Sequence, residues 1–382
     1  MALPNADWNY PTAIRFGAGR VAELGEACRG LGIERPLLVT DPALAKLPMV
    51  EAALAAAGAR LFCAIHSNPV GSDVEAGLAA YREGGHDGVI AFGGGSALDV
   101  GKVIAFMSGQ SRPLWDFEDQ ADWWSRADPA GIAAVVAVPT TAGTGSEVGR
   151  AGVILDQEAG VKKIIFHPKM LPAAVILDPE LTLGLPPHIT AATGMDALSH
   201  CLEAYCAPGF HPMADGIAAE GMKLIRSWLP RAVEDGADIE ARGHMLVAAS
   251  MGATAFQKGL GGMHALSHPI GALLGTHHGL TNAVLMPYML DFNRGAIEER
   301  LARLAGYIGL ADTSFESFLA WIIELRQRVG IPHMLPELGV SEADMERIAL
   351  MAEADPSAGG NPLPFDAAAA RAVLEAAMAG RV

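Results

Sequence analysis

The pattern of hydrophobic and polar positions changes character near residue 185. Before that point, short apolar runs alternate with longer stretches of helical periodicity that are often rich in alanine. The apolar runs predict buried strands at 36–40, 60–66, 88–92, 133–138 and 174–178. The periodic stretches predict helices at 50–58, 74–84 and 97–107. Strands that alternate with helices in this rhythm indicate βαβ units and a parallel sheet.

After Leu185-Pro186-Pro187 the pattern is helical almost to the end of the chain. Proline and glycine stand at the ends of the periodic stretches, as they do at helix termini. The predicted helices are 189–205, 213–228, 239–257, 265–274, 281–292, 297–308, 315–329, 342–351 and 366–378. A chain of 382 residues is long enough for two domains. We therefore expect an α/β fold with a Rossmann-like parallel-sheet domain at 1–185 and an all-α domain at 186–382.

Composition and charge exclude several classes of protein. Hydrophobic residues make up 51% of the chain, which excludes intrinsic disorder. No apolar run approaches the ~18 residues of a membrane-spanning helix, and the N-terminus lacks the basic and apolar regions of a secretory signal. The four cysteines form no CxxC pair, as expected of reduced thiols in a cytoplasmic protein. A formal net charge of −16 argues against nucleic acid and anionic membranes as partners.

Gly93-Gly94-Gly95-Ser96 follows the predicted strand at 88–92 and precedes the predicted helix at 97–107. Glycines in such a turn let the backbone approach a phosphate closely, and the N-terminus of a helix favours an anion. The spacing differs from GxGxxG, the usual dinucleotide-binding fingerprint. Because a glycine turn also serves purely structural roles, this loop alone leaves phosphate binding open.

A second loop and an acidic residue favour nucleotide binding. Residues 139–147, PTTAGTGSE, crowd hydroxyls and glycines at the end of a predicted strand, where doubly wound sheets bind ligands. An ordinary polar loop is the alternative. Asp41 follows the predicted strand at 36–40, where an acid can accept a hydrogen bond from a ribose 2′-hydroxyl and repel a 2′-phosphate. That position favours NAD over NADP, although an aspartate before Pro42 also suits a simple turn.

Asp196 and His200 lie four residues apart in the predicted helix at 189–205 and therefore project from one face. The positions around them are mostly small or apolar. A carboxylate on such a face requires a partner or a metal ion. The pair taken alone is equally consistent with a structural hydrogen bond.

Four histidines follow in an apolar, glycine-rich segment: His264, His268, His277 and His278. Imidazole is a common metal ligand, and these histidines together with the preceding Asp/His pair predict a metal site. Imidazole and carboxylate donors suit Fe²⁺ or Zn²⁺ better than Mg²⁺ or Ca²⁺. The segment lacks HExxH, so the general-base glutamate of a metalloprotease is missing.

Five motifs together carry a family resemblance. The chain resembles the iron-containing (group III) alcohol dehydrogenase family in GGGSALDVGK, PTTAGTGSEV, DPELT, TGMDALSHCLEAY and HALSHPIGALLGTHHG, which occur in the family's order. The resemblance implies a dehydroquinate synthase-like fold. Such a fold has an N-terminal α/β dinucleotide-binding domain, an all-helical C-terminal domain and a metal in the cleft between them.

The resemblance also implies site residues. The metal ligands fall on Asp196, His200, His264 and His278, while His268 matches a non-ligand active-site histidine of the family. The positions that match the family's cofactor contacts are Asp41, Asn68, Gly94, Gly95, Ser96, Asp99, Thr140, Thr141, Thr144 and Lys162. Lys163 is adjacent to Lys162, and the sequence leaves both lysines open.

Two positions depart from the family pattern. His277-His278-Gly279 stands where Pro-His-Gly is common, which leaves an exchange of roles between the two histidines open. The glycine that follows His278 favours His278 as the ligand. Leu363 in GGNPLP replaces a frequent arginine of the family, so that arginine's contribution to shape or substrate binding cannot be carried over.

The resemblance predicts a metal-dependent alcohol dehydrogenase or aldehyde reductase that uses NAD(H), with Fe²⁺ as the metal and Zn²⁺ as the alternative. The metal would activate the alcohol oxygen, hydride would pass from the carbinol carbon to the nicotinamide, and His268 would relay a proton to solvent. The alternatives are a 4-hydroxybutyrate-type hydroxy-acid dehydrogenase, a glycerol dehydrogenase, a dehydroquinate synthase-like enzyme and a non-enzymatic metal-binding scaffold. The expected partners are a small alcohol or aldehyde and further copies of the chain, in a homodimer or a larger homo-oligomer.

Overall fold

The computed structural model describes residues 6–8 and 11–382. Contacts between Cα atoms divide the chain into two compact units. The N-terminal unit comprises the described residues up to 141 together with 145–184, and the C-terminal unit comprises residues 142–144 and 185–382. Each unit contains a hydrophobic core of buried side chains.

The N-terminal unit is built on a parallel sheet. In chain order the strands are β1 (Ala6–Trp8), β2 (Ala13–Phe16), β3 (Pro36–Val39), β4 (Arg60–Phe62), β5 (Gly88–Gly93), β6 (Ala134–Pro139), β7 (Ala151–Asp156), β8 (Val161–Phe166) and β9 (Ala174–Leu177). Seven of them form one sheet in the order β1-β2-β9-β6-β5-β3-β4. Strand β1 pairs antiparallel with β2, and the other pairings in this sheet are parallel. The predicted parallel-sheet fold is therefore confirmed.

Helices accompany the strands of this unit: α1 (Leu24–Gly30), α2 (Pro48–Ala57), α3 (Gly71–Glu83) and α4 (Gly95–Met107). Every residue of β3, β5 and β9 is buried, as expected for parallel strands that are covered on both faces. Nearly all of α4 is buried as well. The central strands and α4 therefore give the loops at the carboxyl ends of β5 and β6 a rigid base.

Strands β7 and β8 form a separate antiparallel hairpin that the sequence pattern did not predict. The turn between them is well defined, because Asp156 Oδ1 accepts hydrogen bonds from the backbone N–H groups of Glu158 and Ala159. Gly160 completes the turn with a φ of 68°. Helix α1 and the strands β1 and β2 were also not predicted. These elements are short, and short segments give weak periodicity.

The C-terminal unit is helical, as predicted. Its helices are α5 (Pro187–Cys206), α6 (Pro212–Glu234), α7 (Ile239–Ala255), α8 (Gly262–Leu274), α9 (His278–Tyr307), α10 (Phe315–Arg328), α11 (Glu342–Glu353) and α12 (Ala367–Ala379). Helix α5 packs against α6, α7 and α9. Fifteen of its residues are buried, from Thr190 to Ala204, so α5 is the central helix around which the unit is packed.

The prediction of two helices at 281–292 and 297–308 was wrong, because both belong to the single helix α9 of 30 residues. The sequence between them includes Gly295, which weakens a helix by about 1 kcal/mol relative to alanine. Helix α9 packs against α5, α8 and α10, its buried residues lie on either side of this glycine in the chain, and the helix stays continuous. Tertiary packing here overrides a local signal.

None of the helices in the described part of the chain is both long enough and apolar enough to cross a membrane.

Candidate metal centre

Two of the predicted ligands lie on α5. Asp196 and His200 are one turn apart on this helix, and both side chains are buried. Helix α5 begins with proline at its first turn, a position that proline favours because its missing N–H is not needed there. The helix is surrounded by small and apolar side chains of the C-terminal core. The carboxylate of Asp196 and the imidazole of His200 are therefore shielded from solvent.

The other two predicted ligands come from α8 and α9. His264 is the third residue of α8 and His278 is the first residue of α9. Together with Asp196 and His200 they form one group, in which a ligand atom from each residue lies within 4.8 Å of the others. The structure thus brings together all four residues that the family resemblance implied.

The neighbouring His277 is not part of this group. Its Nδ1 accepts a hydrogen bond from the backbone N–H of Leu280 at 3.4 Å, and the residue is the N-cap of α9. This arrangement favours His278 as the ligand and gives His277 a structural role. The sequence alone left the two roles exchangeable.

The two buried imidazoles differ in how readily they are protonated, and the neutral form is the one that binds a metal ion. Burial lowers the pKa of His200 from 6.5 to about 4, so this ring is neutral at neutral pH. Burial also opposes protonation of His264, but the charge of Glu203 and its hydrogen bond outweigh burial and raise the pKa of His264. Three imidazoles and one carboxylate, held close together and mostly buried, are the donor set of Fe²⁺ or Zn²⁺ sites.

Asn282 is a contributor that the sequence analysis missed. It lies one turn after His278 on α9 and is fully buried. Its Nδ2 lies 3.0 Å from Asp196 Oδ1 and 3.2 Å from the Nε2 atoms of His264 and His278. Its Oδ1 is buried without a hydrogen-bond partner. The amide nitrogen of Asn282 therefore lies among the ligand atoms of Asp196, His264 and His278.

Further polar groups contact the Nδ1 atoms of two ligands, His264 and His278, on the side of each ring away from the ligand group. His264 Nδ1 lies 2.5 Å from Glu203 Oε2. His278 Nδ1 lies 3.2 Å from Ser267 Oγ, whose hydroxyl donates to the carbonyl oxygen of His264 at 3.3 Å. Metal-binding histidines commonly use their second nitrogen in this way. Of these partners, Glu203 had a sequence signal, because it follows His200 by three residues on the same helix face.

His268 lies beside the ligand group and outside it. Its ring stacks with the ring of His278, with centroids 5.3 Å apart and an angle of 12° between the planes. Its Nδ1 lies 2.8 Å from Asp355 Oδ2. Burial alone would raise the pKa of Asp355, but the hydrogen bond and charge of His268 outweigh burial and hold the pKa low. Asp355 therefore stays ionised. No feature of the sequence indicated that it is the partner of His268.

The two predicted nucleotide-binding loops leave the sheet of the N-terminal unit side by side. Strand β5 ends at Gly93 and β6 ends at Pro139, and the backbone N–H of Thr140 donates to the carbonyl oxygen of Gly93 at 2.9 Å. Gly93 has a φ of 143°, and a Cβ there would lie 2.9 Å from the Cβ of Ala97, so the turn requires glycine. Gly94 is the N-cap of α4 and lies beside Thr141.

Ser96 and Asp99 brace these loops. Ser96 Oγ donates to the carbonyl oxygen of Ser67 at 2.6 Å, which brings the segment containing Asn68 to the start of α4. The Asp99 carboxylate accepts hydrogen bonds from Ser146 Oγ at 2.5 Å and from the backbone N–H of Val153 at 2.9 Å. The structure therefore gathers Asn68, the glycine turn and the hydroxyl-rich loop around the N-terminus of α4.

The remaining predicted cofactor residues have distinct surroundings. Asp41 Oδ1 accepts hydrogen bonds from the backbone N–H groups of Ala43 and Leu44, which is the turn role that the sequence left open. Lys163 forms an ion pair with Asp156 at 2.9 Å. Lys162 precedes it on β8 and so points to the opposite face of the hairpin.

Two further predicted cofactor residues and the cysteines complete the set of sequence-predicted features. Thr144 and Gly95 lie in different units, Thr144 with the C-terminal unit and Gly95 with the N-terminal unit. All four cysteines are free. Burial raises the pKa of Cys201 and Cys206 to about 12, so neither thiol forms a nucleophilic thiolate near neutral pH.

Models of two protein families match the chain. "Iron-containing alcohol dehydrogenase" matches residues 11–179, and "Fe-containing alcohol dehydrogenase family, C-terminal" matches residues 190–378. A 4-hydroxybutyrate dehydrogenase of Cupriavidus necator is 40% identical over 383 residues, which cover 97% of this chain and 99% of the relative. An NAD-dependent methanol dehydrogenase of Bacillus methanolicus is 35% identical over 364 residues, which cover 92% of this chain and 94% of that relative.

Solved structures agree with these relatives. A 1,3-propanediol oxidoreductase superposes with a TM-score of 0.90 at 34% identity, covering 99% of this chain and 100% of the other. A sulfoacetaldehyde reductase from Bifidobacterium kashiwanohense, solved in complex with NAD⁺, has a TM-score of 0.88 at 29% identity, with 99% of both chains covered. The family matches to both parts of the chain therefore agree with the parallel sheet and with the group of four candidate ligand residues. The chain belongs to the iron-containing alcohol dehydrogenase family.

Proposed function

We propose that the protein interconverts a primary alcohol and its aldehyde, with a divalent metal held by Asp196, His200, His264 and His278. The observation that carries this proposal is the grouping of their four ligand atoms within 4.8 Å of one another. The donor set suits Fe²⁺, with Zn²⁺ as the alternative. In this proposal residues 1–185 bind the dinucleotide, and residues 186–382 bind the metal and the substrate.

The proposed hydride carrier is NAD(H). The name of the B. methanolicus relative includes NAD dependence, and the sulfoacetaldehyde reductase was solved with NAD⁺, which supports this choice. The proposed contacts are Asp41, Asn68, Gly94, Gly95, Ser96, Asp99, Thr140, Thr141, Thr144 and Lys162. Glycines and hydroxyls at the N-terminus of a helix suit a pyrophosphate, and the position of Asp41 at the end of β3 supports NAD over NADP.

When bound, the metal supplies a Lewis acid for the substrate oxygen, and the nicotinamide accepts or supplies the hydride. The residues of the chain orient the reactants and exclude water. The ring of Phe256 lies edge-on to His200, with centroids 5.1 Å apart, and contributes an apolar cover beside a ligand. His268 is the proposed proton relay, because Asp355 holds its Nδ1 and leaves Nε2 for the transferred proton.

The test of this proposal is NADH oxidation by protein prepared without metal and then reconstituted anaerobically with Fe²⁺ or Zn²⁺. The substrates are short aldehydes together with the semialdehyde of 4-hydroxybutyrate, because the C. necator relative is a 4-hydroxybutyrate dehydrogenase. We expect activity only with metal, and more activity with Fe²⁺ than with Zn²⁺. Turnover confined to the semialdehyde would favour the hydroxy-acid alternative. Measurable NADH binding without turnover of any aldehyde would contradict the proposal and favour a synthase-like reaction.

Replacement of His268 by alanine is expected to lower kcat by about 100-fold, the usual contribution of a positioned acid–base group. The pH profile of kcat should change as well, because the proton would leave by another route. His188→Ala is the control, since His188 is exposed and lies outside the ligand group. Steady-state kinetics from pH 6 to pH 10 test both variants. An unchanged kcat and pH profile for His268→Ala would exclude the relay role.

The assembly predicted from the resemblance, a homodimer or a larger homo-oligomer, stays a prediction, and light scattering tests it.

A further inference from the structure

Glu203 shares a helix face with two of the proposed ligands. On α5 it follows His200 by three residues and Asp196 by seven, so the three side chains project in the same direction. Its side chain is 5% exposed. A carboxylate in so dry a place is costly unless each of its oxygens is hydrogen-bonded.

Both oxygens of Glu203 are used on the first turn of α8. Oε1 accepts a hydrogen bond from the backbone N–H of Met263 at 2.7 Å, and Oε2 lies 2.5 Å from His264 Nδ1. The preceding N–H, of Gly262, donates to Asn361 Oδ1 at 3.2 Å. A helix N-terminus carries unsatisfied N–H groups, and Glu203 satisfies one of them. The same carboxylate therefore fixes α8 against α5 and holds a ligand that α8 carries.

The tight fit around the carboxylate leaves it little freedom. A Cβ at Gly261 would lie 3.0 Å from Glu203 Oε1 and 3.1 Å from Asn361 Oδ1. Oε1 therefore faces the backbone N–H of Met263, and Oε2 faces the imidazole of His264. The structure thus determines which of the two oxygens contacts His264.

This orientation determines the tautomer of His264. A carboxylate can only accept, so His264 Nδ1 must donate, and Nε2 then carries a lone pair in the neutral ring. The surroundings of Nε2 are consistent with this tautomer, because the donor group Asn282 Nδ2 lies 3.2 Å from Nε2, which can accept its hydrogen. A lone pair on Nε2 is the form that binds a metal ion.

We propose that Glu203 is a positioning residue of the metal centre, which selects the metal-binding tautomer of His264 and fixes the start of α8 to α5. This inference rests on His264 being a metal ligand in the proposed function. It extends that function to a residue outside the ligand group, and it applies to metal binding before any substrate is present.

Glu203→Gln tests this role with almost no change in shape. The glutamine Oε1 can still accept from Met263 N–H, so its NH₂ group faces His264 Nδ1. Because that group donates, Nδ1 must accept and Nε2 must carry the hydrogen, which blocks the lone pair. We expect Zn²⁺ affinity, measured by chelator competition on the full chain, to fall about 10–100-fold, as for other outer partners of metal ligands. Glu324→Gln, at an exposed position on α10, is the matched control and should keep the wild-type affinity.

A second measurement does not depend on the variant folding. Nitrogen-15 NMR of the metal-free wild-type protein, recorded at a pH high enough for the His264 ring to be neutral, should show hydrogen on Nδ1 and a lone pair on Nε2. The Gln variant should show the reverse. Hydrogen on Nε2 of the neutral His264 ring in the wild type would overturn the proposal, as would a Zn²⁺ affinity of Glu203→Gln within twofold of the wild type. Loss of Zn²⁺ affinity in the variant, with wild-type protein that binds Zn²⁺ but turns over no aldehyde, would support Glu203 and contradict only the proposed reaction.

Discussion

Replacement of Asp196 by alanine is expected to remove the bound metal and to lower kcat/KM for the aldehyde by about three orders of magnitude. Asp196 is the carboxylate of the ligand group, and the other three ligands are imidazoles that are neutral when they bind a metal. Without it, a divalent charge would lie in a buried site with no ligand to offset it. Metal analysis after anaerobic reconstitution, together with steady-state kinetics, measures both effects.

Asp196→Asn separates the charge of this ligand from its shape. The side chain is 3% exposed, and a buried carboxylate is costly to desolvate. The metal-free Asn variant should therefore unfold at the same temperature as metal-free wild type or at a higher one. The rise in Tm that Fe²⁺ or Zn²⁺ gives the wild type should be absent. A wild-type metal affinity in this variant would contradict the assignment of Asp196 as a ligand.

Gly279→Ala should damage the site by a purely steric route. Gly279 follows His278 on α9, and a Cβ there would lie 2.4 Å from the carbonyl oxygen of Ala192 and 2.7 Å from the Cβ of Asp196. A backbone carbonyl on a packed helix cannot yield cheaply, so the start of α9 must move away from α5. Overpacking of this kind costs about 1–3 kcal/mol. His278 would move away from Asp196, and we expect metal affinity to fall at least tenfold.

Gly295→Ala is the control, because it lies on the same helix and a Cβ there meets nothing within 4 Å. Alanine favours a helix over glycine by about 1 kcal/mol, so this variant should be at least as stable as the wild type. Both variants are compared by thermal unfolding without metal and by chelator competition with Zn²⁺. Equal Zn²⁺ affinities for the two would mean that α9 accommodates the extra methyl group without moving His278.

Local patterns in the sequence predicted the parts of this molecule that depend on local rules. The parallel sheet followed from apolar runs between helices, and the Asp196/His200 pair followed from a spacing of four residues on a helix. Distant contacts left no such signal. Asp355 reaches His268 across 87 residues of chain, and Asn282 reaches Asp196 across 86. An aspartate after α11 and an asparagine inside α9 are ordinary residues until the fold brings them to the site.

The error at α9 has the same origin. Gly295 and the polar residues around it locally favour a helix end, while the contacts that keep α9 continuous come from α5, α8 and α10. His277 is the opposite case, since its role depended only on which residue begins the helix. Such a boundary is poorly determined by sequence, because helix ends are uncertain by one or two residues.

The four ligand residues all belong to the C-terminal unit, on three helices that are far apart in sequence. Unfolding of that unit disperses them, so a metal ion that binds the folded form acts by mass action on its folding equilibrium. At a free metal concentration 1,000 times Kd, that linkage adds about 4.1 kcal/mol to the stability of the unit. A chelator would remove this contribution from the C-terminal unit alone. Calorimetry should then show the unfolding transition of the helical unit at a lower temperature, while the intrinsic stability of the sheet unit stays unchanged.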